Sequence, residues 1–107
     1  MKEEFDATWV ERRELISVER LAQMSGLSED EVCTLVEFGA LAPTNPDESS
    51  WTFAQHCVMS VKTAGRLRQA FDLEPDALAL TLSLIQRIHD LQDELRRLRV
   101  TMPHRSS

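Results

Sequence analysis

ISVERLAQMSGLSEDEVCTLVEFGAL, residues 16–41, is the stretch whose reading decides the fold of this chain. Ser17 is a good helix N-cap, but Arg20 rather than Glu stands three residues on, so the reciprocal half of a capping box is missing. Val18, Leu21, Ala22 and Met24 then supply an apolar face at helical spacing. Ser25-Gly26-Leu27 breaks the pattern, with Gly26 free to adopt a positive φ and end the helix. Ser28 starts a second helix and Glu31, three residues later, completes a capping box. Glu29, Asp30 and Glu31 fill its first turn, where the helix dipole favours negative charge. Val32, Leu35 and Val36 form its inward face, and Gly39 ends it. A short helix, a glycine turn and a second helix, with the small Ala22 allowing close approach, make a helix-turn-helix over residues 17–43.

Downstream, Pro43, Asn45, Pro46, Asp47 and two serines make a loop. Trp51 and Phe53 read as a short extended piece or as the lead into a helix. Val58, Val61, Ala64 or Gly65, Leu67 or Arg68, and Phe71 recur at helical spacing, which predicts a middle helix over about 56–71. Asp72-Leu73-Glu74 breaks it, and Pro75 suits the first turn of a new helix. That helix, residues 75–100, is long and leucine-rich. Leu84, Ile88, Leu91, Leu95 and Leu98 alternate by four and three, the spacing of a coiled-coil seam, and predict a homodimer. The competing reading is that these leucines pack on the chain's own helix-turn-helix, unless Leu78, Leu82 and Ile85, a second apolar row, do so instead. Upstream, Phe5, Trp9 and Val10 fit an arm or a tiny strand paired with residues 51–53. The expected fold is all-α in one domain, residues 1–107: helix-turn-helix, middle helix and long C-terminal helix.

The 107 residues are 42% hydrophobic and 28% charged, with three glycines and four prolines, the make-up of a soluble globular chain able to build one modest core. Met1-Lys2 leads into Glu3, Glu4 and Asp6 with no apolar signal core, and no stretch is apolar enough to cross a bilayer. The expected compartment is the cytoplasm, where Cys33 and Cys57 are reduced thiols acting as buried small hydrophobes. The net charge of −6 is unevenly spread. Residues 1–50 hold four basic groups against twelve acidic ones; residues 51–107 hold eight against six. An acidic front half repels phosphate backbones and favours a basic partner, or simply solvates the surface.

Enzymatic chemistry finds no foothold. His56 and Cys57 are adjacent, and neighbours on a helix point about 100° apart, which is poor geometry for chelating one metal. His89 and His104 lie far along the chain, and no CxxC, HxxxH or glycine-rich phosphate loop occurs. The expectation is a non-enzyme without cofactor or metal.

Three features in order, the unit ISVERLAQMSGLSEDEVCTLVEFGALAP, a Trp-x-Phe segment (Trp51, Phe53), and RLRQAFDLEPDALALTLSLIQRIHDLQDELRRL, make the chain resemble the CbpM-type chaperone-modulator family of bacteria. The first is shared with MerR-type regulators; the second half narrows it. The resemblance implies binding to a J-domain co-chaperone of the curved-DNA-binding type, with inhibition of that partner's co-chaperone activity and DNA binding. It also implies that the J-domain offers a basic helix, the one that docks on its DnaK-type ATPase chaperone. The residues favour protein over DNA. A DNA-reading helix needs basic or amide side chains outward. Here the outward row is Asp30, Thr34 and Glu37, flanked by Glu29 and Glu31, and Arg20 is the only cation in residues 17–43. Leu35-Val36-Glu37-Phe38 stands where MerR regulators carry basic and aromatic residues. Glu29, Asp30, Glu31, Thr34 and Glu37 are therefore the expected partner-binding residues, unless they only solubilise the helix. The alternative is a MerR-like DNA-binding regulator that uses Arg66, Arg68 and the arginines at 96, 97 and 99.

Overall fold

The computed structural model describes residues 15–101. Strand β1 (Leu15–Ser17) leads directly into helix α1 (Val18–Ser25), followed by α2 (Glu29–Glu37), strand β2 (Thr52–Ala54), a single 3₁₀ turn (Gln55–Cys57), α3 (Val58–Phe71) and the long α4 (Pro75–Thr101). The caps form as their residues dictate. The Ser17 hydroxyl accepts the Arg20 N–H at 3.1 Å. Ser28 and Glu31 close both arms of the box, at 3.0 and 2.9 Å. Gly26 sits at φ +81°, and its N–H bonds the Ala22 carbonyl to end α1. Gly39, at φ +80°, turns the chain away after α2.

One apolar cluster joins the elements. Leu21 of α1, Val32 and Leu35 of α2, Phe53 of β2, Val61 and Ala64 of α3, and Leu78 and Leu82 of α4 are fully or almost fully buried. Burying each large side chain contributes roughly 1.5–3 kcal/mol. Helix α3 crosses α1 closely enough that a Cβ on Gly65 would collide with the Ser25 carbonyl oxygen. Ser25 itself is buried and satisfied: its hydroxyl donates to the Ala22 carbonyl (3.4 Å) and accepts from the Leu27 N–H (3.2 Å).

The described chain is mostly helical but not strictly all-α, because β1 and β2 form a two-stranded antiparallel sheet. Ile16 faces Phe53, and Ser17 faces Thr52. The strand at 52–54 agrees with the sequence reading. Its partner does not: the pairing falls on residues 15–17, while residues 5–10 lie outside the described residues. The reason is proximity. Leu15–Ser17 runs straight into α1, so pairing there closes Phe53 over the core with no intervening loop to order.

Two smaller expectations also change. Phe71, taken as the last inward residue of the middle helix, is largely exposed, because α3 ends there and Asp72 turns the chain in the left-handed region (φ 55°). Cys57 is buried as expected, but Cys33 is only half-buried. Along α4 the two apolar rows part company. Leu78 and Leu82 enter the core and Ile85 packs against it, whereas Leu84, Ile88, Leu91, Leu95 and Leu98 remain 47–55% exposed.

Candidate functional site

Helix α2 positions the acidic surface. With Val32 and Leu35 held in the core, the helical period turns Glu29, Asp30 and Glu37 outward, and all three are exposed. Thr34 lies between them, half-buried, with its hydroxyl donating to the Asp30 carbonyl at 2.9 Å. Glu31 points elsewhere. One carboxylate oxygen accepts the Ser28 N–H, and the other accepts the Arg68 Nε–H of α3 at 2.7 Å. Burial opposes its ionisation, but the Ser28 amide, the Arg68 guanidinium and the Ser28 hydroxyl together outweigh that cost and hold its carboxyl below the usual glutamate range. Glu31 thus fastens the helix-turn-helix to α3, while its neighbours face solvent.

Cys33 sits on the same helix beside the exposed acids. Burial pushes its thiol up, and the charges of Asp30, Glu37 and Glu29 push it further, because each disfavours a thiolate. Cys57 is also pushed up by burial. Neither thiol is activated as a nucleophile.

The loop at residues 43–51 folds back as a wing beside α2, an arrangement that no sequence signal announced. Asn45 organises it. Its side-chain carbonyl accepts the Thr52 N–H (2.9 Å), and its amide donates to the Ser50 carbonyl (2.9 Å) and the Glu48 carboxylate (3.0 Å). Thr44 and Thr52 join through backbone and hydroxyls. The Trp51 indole N–H donates to the Pro46 carbonyl at 3.3 Å. Between wing, α1 and α2 runs a groove of about 650 Å³, lined among others by Val18, Glu19, Cys33, Pro46, Glu48 and Trp51.

On another side, α3 and α4 meet at a cleft of about 330 Å³ with His56, Ser60, His89, Asp90 and Asp93 in its walls. The Ser60 hydroxyl and His89 Nδ1 lie 2.8 Å apart there. Among the described residues, no three His, Cys, Asp or Glu side chains converge as metal ligands. None of the described helices is long and apolar enough to cross a membrane.

Residues 16–100 match the family of MerR HTH family regulatory proteins. The Chaperone modulatory protein CbpM of Citrobacter koseri is 35% identical over 72 residues, which cover 67% of this chain and 71% of that protein. Its counterparts from Escherichia coli O1:K1 and O45:K1 are 35% identical over 75 residues, or 70% of this chain and 74% of theirs. The two-helix unit with its wing, the Trp-x-Phe strand and the long helix all fall within the matched region, and the chain belongs to the CbpM-type chaperone modulators, on a MerR-type helix-turn-helix.

Proposed function

We propose that this chain is a non-enzymatic modulator that inhibits a J-domain co-chaperone of the curved-DNA-binding type by occupying its J-domain. The observation that carries this reading is the outward face of α2, where Glu29, Asp30 and Glu37 are exposed and no base stands among them. That face complements a basic helix and repels a phosphate backbone. The shared name of its relatives, chaperone modulatory protein, supports the same direction. In this reading the chain works in the cytoplasm without a cofactor, as one domain of residues 1–107. It pairs with a second copy through Leu84, Ile88, Leu91, Leu95 and Leu98, a row that is about half-exposed in the single chain.

The rival reading, a DNA-binding regulator, draws on the family's regulatory proteins. It would rest on the arginines of α3 and α4, yet Arg68 is engaged with Glu31 and Arg96 with Asp93 (3.1 Å). A pull-down with the purified J-domain, run beside a low-salt gel shift on duplex DNA, separates the two. Capture of the J-domain without a shifted duplex is expected. A duplex complex that weakens steeply with salt, with no J-domain capture, would replace the proposal by its rival.

A further inference from the structure

The groove between the wing and the helix-turn-helix has the features of a side-chain anchor. Its walls mix apolar groups, Val18, Pro46 and the Trp51 indole, with the carboxylates of Glu19 and Glu48. Trp51 packs against the core on one side and is tethered to the Pro46 carbonyl, so its ring is held in place before anything binds. Aromatic side chains immobilised in this way are the usual energetic centres of protein interfaces, because little conformational entropy remains to be lost. Cys33 connects the groove to the acidic face: it lines the groove while lying within the field of Asp30, Glu37 and Glu29. None of the groove's described lining residues is basic.

We infer that this groove is where a partner docks, and that its occupant is a basic helix placing an apolar side chain against Trp51 and Lys or Arg side chains against Glu19, Glu48 and the acids of α2. The inference rests on the proposed J-domain reading and adds an anchor that the acidic face of α2 alone lacks. Charge selects the occupant. The chain's own residues 1–14 carry three basic and five acidic groups, a poor complement to this rim, and a second copy carries the same overall net charge of −6. A basic amphipathic helix satisfies both walls at once, the indole by apolar contact or cation–π stacking and the rim by charge.

Cys33 is a built-in reporter of the groove, with Cys57 as an internal control because it is buried in the core. The full-length chain is alkylated with N-ethylmaleimide at mildly alkaline pH, free and saturated with the J-domain, and labelling at each thiol is followed by peptide mass spectrometry. The expected results are that Cys33 labels well ahead of Cys57 in the free chain and that the J-domain slows Cys33 about tenfold or more. Trp51→Ala should weaken J-domain binding about tenfold, as for an anchoring aromatic, while Trp51→Phe retains most of it. Four results overturn the inference. If Cys33 stays reactive in a saturated complex, the partner sits elsewhere and the J-domain reading survives. If Cys33 is protected but Trp51→Ala binds as tightly as the parent, contact is confined to the face of α2. If Cys33 is already as inert as Cys57 in the free chain, the groove is covered by the chain itself or by a second copy. If no complex forms at any concentration, the J-domain reading and the groove fall together.

Discussion

The carboxylate of Glu31 holds the Ser28 amide on one oxygen and the Arg68 guanidinium on the other, so a single side chain starts α2 and ties it to α3. Half of that arrangement was legible: Ser28-x-x-Glu31 specifies the capping box from spacing alone. The other half was not, because Arg68 lies 37 residues away and only the packing of α3 brings it near. Charge, not spacing, placed Glu31 among the partner-binding acids beside the outward row of Asp30, Thr34 and Glu37, and charge could not show that both its oxygens are occupied. Glu31→Ala should cost about 1–2 kcal/mol, combining a lost cap with a half-exposed ion pair, as read from urea denaturation. Because the folded-state carboxyl titrates below the ordinary value of 4.5, its contribution is present above that pH and is lost as pH falls through the lowered value. Stability of the parent should therefore drop more steeply than that of Glu31→Gln on acidification below about pH 4.5. Gly65 makes a second prediction, in which the sign is the test. In an exposed helix, Gly→Ala gains up to about 1 kcal/mol; here the added methyl meets the Ser25 carbonyl. Gly65→Ala should lower the melting temperature, with a loss of about 1–3 kcal/mol from overpacking.

Among the elements, α4 shows how far periodicity reaches and where it stops. Its two apolar rows, Leu78-Leu82-Ile85 and Leu84-Ile88-Leu91-Leu95-Leu98, could be read directly from the spacing. Which row the body would take could not, since each has helical period and similar hydrophobicity. The choice follows from geometry: the body covers only the beginning of the helix, and the row that starts at Leu78 faces it. The exposed row leaves a definite expectation. Leu91→Glu with Leu95→Glu should halve the sedimentation mass while far-UV circular dichroism keeps its helical shape, because both side chains are already about half-exposed in the single chain. An unchanged mass would show that the row serves no self-association. The strands illustrate the opposite limit. Three residues each, β1 and β2 are too short to show an alternating pattern, and Leu15–Ser17 looks from sequence like the approach to a helix cap. Its pairing is decided by tertiary closure over Phe53.

Across the whole molecule, charge is organised by position along the chain, with a balance of −8 over residues 1–50 and +2 over residues 51–107. The fold converts that linear split into a surface, with Asp30 and Glu37 on α2 and Glu19 and Glu48 on the groove's rim. The acidic helix face was legible from period and composition; the groove was not, since it depends on a loop folding across two helices under the direction of Asn45. Long-range charge acts mainly on encounter. Asp30→Lys with Glu37→Lys should slow association with the J-domain more than it speeds dissociation, as seen by stopped-flow. Added salt should do the same to the parent, since screening acts over about 8 Å at physiological ionic strength. An association rate indifferent to both changes would move the site off this face. The shape of the long helix bears on how much of the protein a cell holds. Beyond His89, which still meets Ser60 of α3, residues 90–100 are all exposed and the helix runs on for roughly 18 Å; isolated helical segments of that length are marginal in water. With the proposed pairing through Leu84 to Leu98, the order of its last turns becomes a function of dose. Dilution should erode the helical signal well before the body melts, and a scarce chain would be a frayed one with an oily end open to proteolysis.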